Sequence, residues 1–368
     1  MFGKVNELKK YLSSQFVERE EIIEALLLAL ISRQHVLLIG PPGTGKSNLV
    51  SELAKLIQGI NYFQWLLSRF STPEELFGPV SLKELEQGVY KRNTKGKMPE
   101  AHLAFVDETF KANSAILNSL LTLINERLFY NNGTPVQSPL ISVIGASNEW
   151  PEEKEGLEAL FDRFLLRFEV DYIGENANFI NMMKGAGVTN KKPTLTLEEL
   201  TQLQFFCDMV TIPDDVFETI VKIRTQLKDE GIRPSDRRFR QCLSLLQAKA
   251  MMEKRQEAKI SDLSVLANAL WETVEQRETV KEIVKQHSMD KLKARLEEIV
   301  SEAKDIYEHV KASQTTDSGL EATEKLKALS REIQQLKGSN PARKTEIEDV
   351  AVKIETARKQ IAAAILGI

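Results

Sequence analysis

Gly40-Pro41-Pro42-Gly43-Thr44-Gly45-Lys46-Ser47 satisfies the pattern G-x-x-x-x-G-K-[ST] in full. The run His35-Val36-Leu37-Leu38-Ile39 before it reads as a short buried strand, and Ser47-Asn48-Leu49-Val50-Ser51-Glu52-Leu53 after it opens a helix. Strand, glycine-rich loop and helix in that order make an anion site. The glycines let successive backbone N–H groups face one point, and the helix adds its positive end there. A nucleotide triphosphate with Mg²⁺ suits such a site. Pro42, Gly43, Thr44, Gly45 and Asn48 belong to the phosphate-binding stretch, Lys46 reaches the β- and γ-phosphates, and the Ser47 hydroxyl binds the metal.

Further along, Leu103-Ala104-Phe105-Val106-Asp107-Glu108 is an apolar strand that ends in two carboxylates. An apolar run ending in Asp-Glu is common by itself. Some sixty residues after a phosphate loop it has a chemical reason: Asp107 can hold the Mg²⁺ shell and Glu108 can polarise the attacking water. The strand Leu140–Ala146 then delivers Ser147-Asn148 at its carboxyl end, where ligands of open α/β sheets gather. Asn148 there can orient the water or touch the γ-phosphate. Leu157–Phe164 reads as a short helix running into a last strand, Phe164–Val170. Arg163 is either an ion-pair partner of Asp162 or an arginine finger for a neighbouring subunit's nucleotide.

Composition narrows the class. The chain has 368 residues, enough for two or three domains. A net charge of -4 argues against a surface that coats nucleic acid. The two cysteines, Cys207 and Cys242, lack metal or redox spacing, which suits a reducing, cytoplasmic compartment. The most apolar run, Ile22–Ile31, is shorter than the roughly 20 residues a membrane span needs. Met1-Phe2-Gly3-Lys4 leads into an amphipathic helix and not a signal peptide.

Around the motifs, Val5–Leu12 and Arg19–Ser32 read as helices, with Phe16 and Val17 in the break between them. These two are either core or the contact for an adenine base. Tyr62–Leu66 reads as a second strand, and Thr72 as the cap of a short helix with Pro73 at its first position. Gln87–Asn93 reads as part of an exposed hairpin with Lys95, Gly96 and Lys97 at its polar end, a solvated tip or a pore loop. A second hairpin turns at Asn131-Asn132-Gly133. From Glu175 the pattern is helical, with helices expected at 175–184, 197–209, 214–228, 236–255 and 261–274. Ser235 or Asp236 caps the helix that carries Arg237, Arg238 and Arg240, an electropositive end suited to phosphate. Three stretches then repeat apolar residues every three to four positions: Leu292 to Val310, Ala322 to Leu336 and Ile347 to Ile361. Short breaks join them, so an antiparallel three-helix bundle is expected.

Taken together these motifs resemble an AAA+ ATPase of the MoxR group, and within it the RavA type. The resemblance rests on Gly40–Ser47, Arg69–Pro79, Asp107-Glu108, Ala115–Asn118 with Ile124–Arg127, Ala146–Glu149, and Ser235–Arg238. It implies a twisted five-stranded parallel sheet in an α/β P-loop core (1–173), an all-α lid (174–275), and a helical carboxy-terminal bundle (276–368). It also implies ATP hydrolysis with Mg²⁺, a hexameric ring and a partner with a von Willebrand factor A domain. In the family's pattern Asn148 is the first sensor, Arg163 the finger, and Arg237 the second sensor with Arg238 as rival. One departure stands out: RavA-type chains insert a small domain in the carboxy-terminal helices, and the breaks here are too short to hold one. The rival functional reading is a nucleic-acid motor or restriction component of the same helix-two-insert clade.

Overall fold

The computed structural model describes residues 2–150, 157–184, 192–289, 291–313, 316–339 and 344–366. The chain forms two compact units, Met1–Ser288 and Met289–Ile368.

The first unit is built on β1 (Val36–Ile39), β2 (Tyr62–Leu66), β3 (Leu103–Asp107), β4 (Ser142–Ser147) and β5 (Leu166–Glu169). They form one sheet in the order β2-β3-β4-β1-β5, and every neighbouring pair is parallel. Parallel strands are covered on both faces, which is why β1 and β4 are buried at every residue and read as continuous apolar runs. The covering helices are α1 (Phe2–Gln15), α2 (Glu20–Ser32), α3 (Lys46–Lys55), α4 (Ser114–Glu126) and α5 (Glu158–Arg163). Helix α2 is buried on nearly all sides, from Ile22 to Ser32 except Glu24, because sheet strands and other helices surround it. That explains a run as apolar as Leu26-Leu27-Leu28 in a helix that spans no membrane. Among the described residues no helix is long and apolar enough to cross one.

The remaining helices of this unit are α6 (Asn176–Met183), α7 (Leu197–Asp208), α8 (Asp214–Asp229), α9 (Asp236–Met252) and α10 (Gln276–Ser288). Ser235 caps α9, its hydroxyl accepting from the Arg238 N–H at 3.2 Å. Three expectations need correction here. Residues 260–268 form a 3₁₀ segment instead of an α-helix that runs to Val274. Helix α10 belongs to the first unit: Val280, Ile283 and Val284 are buried in its core, so this unit runs to Ser288 and not to Glu275. The basic stretch 87–97 does not turn on Lys95, Gly96 and Lys97; instead its residues 91–93 pair antiparallel with 79–81, the Asn93 N–H donating to the Pro79 carbonyl and the Ser81 N–H to the Lys91 carbonyl, each at 2.8 Å. Ser81 caps a turn of helix at Leu82–Leu85, and a single bridge joins Val80 to Arg92. Lys97 is tied down there, donating to the Glu75 carbonyl at 2.9 Å over the Trp65 ring. Thr72 stands before the helix Pro73–Phe77 but makes no side-chain cap bond. The other hairpin is present, Leu128–Asn131 against Thr134–Gln137, turning on Asn132 and Gly133 at positive φ.

The second unit consists of α11 (Lys291–Ser313), α12 (Thr316–Ser339) and α13 (Lys344–Leu366). Its core is the expected apolar repeat, including Leu296, Ile299, Leu326, Ile333, Ile347 and Ile354. Arg295, near the start of α11, holds both carboxylate oxygens of Glu332 near the end of α12, so these helices run antiparallel.

Candidate active site

The sheet order places β1 between β4 and β5, and the loops after β1, β3 and β4 leave from the same edge. This is the switch point where α/β sheets bind ligands. Strand β1 ends on Gly40, which passes so close to Val170 that a Cβ would lie 1.9 Å from the Val170 carbonyl oxygen. Gly45 takes φ 82 and stands at the amino end of α3, so the loop turns its N–H groups toward the helix start.

Four side chains meet at this edge. Lys46 is buried and donates to the carbonyls of its own loop, Gly40 and Pro41, the latter at 2.9 Å. Its ammonium also lies 3.3 Å from Asn148 Oδ1. The Asn148 amide donates to Glu108 Oε1 at 2.5 Å, and Lys111 approaches Glu108 Oε2 at 3.2 Å. Beside them, the Glu108 N–H donates to Asp107 Oδ1 at 3.0 Å. Burial lowers the Lys46 pKa from its usual value, against the pull of Asp107 and Glu108. Burial raises the Asp107 pKa above the usual carboxylate value.

These observations fit a phosphate and a cation. Lys46 is a positive charge whose described hydrogen bonds all go to neutral oxygens, as a group waiting for an anion would show. Asp107 is half-buried, and among the described residues no ion pair involves it. A cavity of about 350 Å³ opens beside Glu108, lined by Arg69, Lys111, Asn113, Ser147, Glu149 and Trp150 among others.

The other expected residues lie differently. Pro42, Gly43 and Asn48 are exposed, and Ser47 half-exposed, along the loop and first turn of α3. Phe16 is half-buried against the main core, and Val17 is also half-buried. Neither lines the crevice beside the loop, which is formed by Arg19, Ile22, Leu38, Thr44, Gly45, Lys46, Leu49 and Val170.

Arg237 does not close over the loop of its own chain. It is exposed and donates to Asn125 Oδ1 at 3.0 Å. Asn125 sits at the carboxyl end of α4, two residues from Arg127, whose guanidinium bonds the Arg33 carbonyl ahead of β1 and the Ile141 carbonyl ahead of β4. That is the amino-terminal edge of the sheet, opposite the phosphate loop. Arg238 is only 1% exposed and donates to the carbonyls of Asp162, Leu165 and Ala269 and to the Asp162 carboxylate. Neither arginine contacts the phosphate loop of its own chain in this structure. Arg163 lies 3.6 Å from Asp162 Oδ2, with its Nε buried.

Three residues near the loop escaped the sequence reading. Arg19 lines the crevice and bonds the Asp171 carbonyl. The Tyr172 hydroxyl donates to the Pro42 carbonyl at 3.3 Å. Glu18, at φ 58, accepts from the amides of Gly174 and Glu175 and from Asn178. The available signal was position: Glu18 and Arg19 follow Val17, and Tyr172 follows the last strand.

Over residues 3–205 the chain matches the family described as the MoxR domain in the MoxR-vWA-beta-propeller ternary systems. The chain belongs to the MoxR family of AAA+ ATPases. A second match, to an AAA lid domain, covers residues 215–284 of this MoxR-family chain and so takes in most of α10. An uncharacterized protein of Methanocaldococcus jannaschii, MJ0079, is 39% identical over 273 residues, 74% of this chain and 71% of that one. The chaperone MoxR1 of Mycobacterium tuberculosis is 28% identical over 195 residues, 51% of this MoxR-family chain and 50% of that one. A structure from Cytophaga hutchinsonii provisionally described as an ATPase superposes with a TM-score of 0.63 at 17% identity, covering 77% of this chain and 94% of that one. At that identity the likeness speaks for the fold: an α/β AAA+ core with a helical lid.

Proposed function

We propose that the protein hydrolyses ATP to ADP and phosphate as a subunit of a ring, and that the ring remodels partner protein complexes. The observation that carries the reading is the line Lys46, Asn148, Glu108, joined by hydrogen bonds at the carboxyl edge of the sheet beside the phosphate loop.

In this reading Lys46 exchanges its own loop's carbonyls for the β- and γ-phosphates. Ser47 and Asp107 would hold Mg²⁺, whose charge would offset that of the phosphates. Asn148 holds Glu108 in place. Glu108 takes a proton from water as its oxygen bonds to the γ-phosphorus, and the bond from that phosphorus to the bridging oxygen breaks, releasing ADP. Arg163 of a neighbouring subunit neutralises charge in the transition state, and such a finger contributes roughly 10³–10⁵ in rate. Neither Arg237 nor Arg238 stands at this edge, which favours a site completed by another copy.

The family description names von Willebrand factor A and beta-propeller companions. We take a von Willebrand factor A domain protein as the partner and a hexamer as the ring. Within the family we take the RavA type as the pattern, on the same set of motifs from Gly40–Ser47 to Ser235–Arg238. The test is capture by Glu108→Gln held in ATP. Co-purification of a von Willebrand factor A domain protein that is released when ATP is removed supports the reading. ATP turnover undiminished by Glu108→Gln contradicts it.

A further inference from the structure

Helix α5 ends at Arg163, and the last carbonyls of any helix lack intrahelical partners. Here two buried guanidinium groups take them. Arg167 donates from Nε to the Phe164 carbonyl at 3.1 Å, from Nη2 to that of Phe161 at 3.2 Å, and from Nη1 to that of Trp271. Arg238, from lid helix α9, donates from Nη2 to the Asp162 carbonyl and to Asp162 Oδ1, both at 3.0 Å. Its Nη1 reaches the Ala269 carbonyl at 2.7 Å and that of Leu165 at 3.3 Å. The second oxygen of the same Asp162 carboxylate lies 3.6 Å from Arg163 Nη1. One carboxylate thus stands between a buried arginine of the lid and Arg163.

Packing alone explains this poorly. Both Arg167 and Arg238 are 1% exposed and close enough to repel each other. Buried charge is costly, and apolar residues of similar volume often replace it without loss of stability. What the arginines provide is direction, since a planar fork with several donors fixes the acceptors it binds. The other side of α5 is held as firmly. The Phe161 ring lies 3.9 Å from the Arg167 guanidinium and packs with Phe110, Trp150 and Trp271. Phe110 follows Glu108 by two residues and Trp150 follows Asn148 by two.

We infer that Arg238 is a positioning residue for Arg163: it holds the Asp162 carbonyl and carboxylate so that Arg163 is presented to a neighbouring subunit's nucleotide. The inference rests on the shared-site reading above. It gives the lid a second task, in which its seat on the core sets the finger lent to the next subunit.

The test uses full-length chains assembled with ATP. Arg238→Lys keeps the charge but not the fork. It should lower kcat roughly 10–100-fold through misplacement, with the KM for ATP within about twofold because its own phosphate loop is intact. Mixing then locates the defect. Arg238→Lys mixed with Lys46→Ala should recover activity, because interfaces form with an intact loop on one side and an intact finger on the other. Arg238→Lys mixed with Arg163→Ala should not. The reverse pattern, or an unchanged kcat, overturns the inference. Should Arg238→Lys fail to assemble, Asp162→Asn must give the same two mixing results, and any other result overturns it. Lys46→Ala mixed with Arg163→Ala is the control. If that mixture stays inactive, the shared site itself is wrong and this inference falls with it. If it recovers while the Arg238→Lys pattern is reversed, only this inference falls.

Discussion

The side-chain amide of Asn148 donates to Glu108 Oε1 at 2.5 Å while its oxygen lies 3.3 Å from Lys46 Nζ. One side chain therefore bridges the proposed base and the phosphate lysine. Glu108→Gln should retain ATP binding and lose roughly 10²–10⁴ in kcat, the usual contribution of a general base. Asn148→Ala should lower kcat by about tenfold or more through loss of orientation. Single-turnover measurements with saturating ATP separate these effects from binding.

Gly40→Ala tests the seat of the loop. The added Cβ would lie 1.9 Å from a backbone oxygen, and neither β1 nor the chain after β5 can yield without breaking sheet contacts. A loss of about 3 kcal/mol or more is expected. At Gly133, nothing lies within 4 Å of a built Cβ. Gly133→Ala should cost only the strain of a positive φ, about 1–2 kcal/mol. Urea midpoints of the two variants give the comparison.

His35 makes stability depend on acid. Its ring is buried, Nδ1 accepts from the Val143 N–H at 2.8 Å, and burial with the nearby Arg127 charge holds its pKa well below 6.5. The unfolded chain therefore takes up the proton first. The contribution is intact above about pH 7 and is lost as pH falls below about 6.5, at up to about 1.4 kcal/mol per pH unit. His35→Gln should flatten the fall in melting temperature between about pH 6.5 and 5. His102, also shifted down by burial, keeps a smaller part of it. An unchanged slope would show that His35 is not the group responsible.

Cys207 and Cys242 offer a probe of unfolding. Both are buried, and burial pushes each thiol up to about 12. At pH 8 neither should react with a thiol reagent in the folded protein, and both should react in denaturant. Rapid labelling of either in the native state would contradict the packing of α7 and α9.

The candidate site was legible where its residues are consecutive and sit at strand ends. Gly40–Ser47 and Asp107-Glu108 needed only local pattern, and all five sheet strands were readable as short apolar runs. The arginines of α9 were not legible. Neighbours on a helix point about 100° apart, so the docking of α9 alone decides that Arg237 is exposed and Arg238 buried. The lid boundary failed for a related reason. Val280, Ile283 and Val284 have the same spacing as the bundle helices after them, and only contact with α8 and the 3₁₀ segment assigns them to the first unit. At 81–97 a local signal was passed over. Ser81 and Glu84 carry the spacing of a helix cap, and the turn of helix they start sits inside the antiparallel pairing of 79–81 with 91–93.

The central claim is that each active site is shared between two chains. Its most direct test is ATP turnover in mixtures of Lys46→Ala and Arg163→Ala subunits, each inactive alone and each able to assemble. The account predicts that mixing restores activity, because some interfaces pair an intact phosphate loop with an intact Arg163. Mixtures that assemble and stay as inactive as their parents would contradict it.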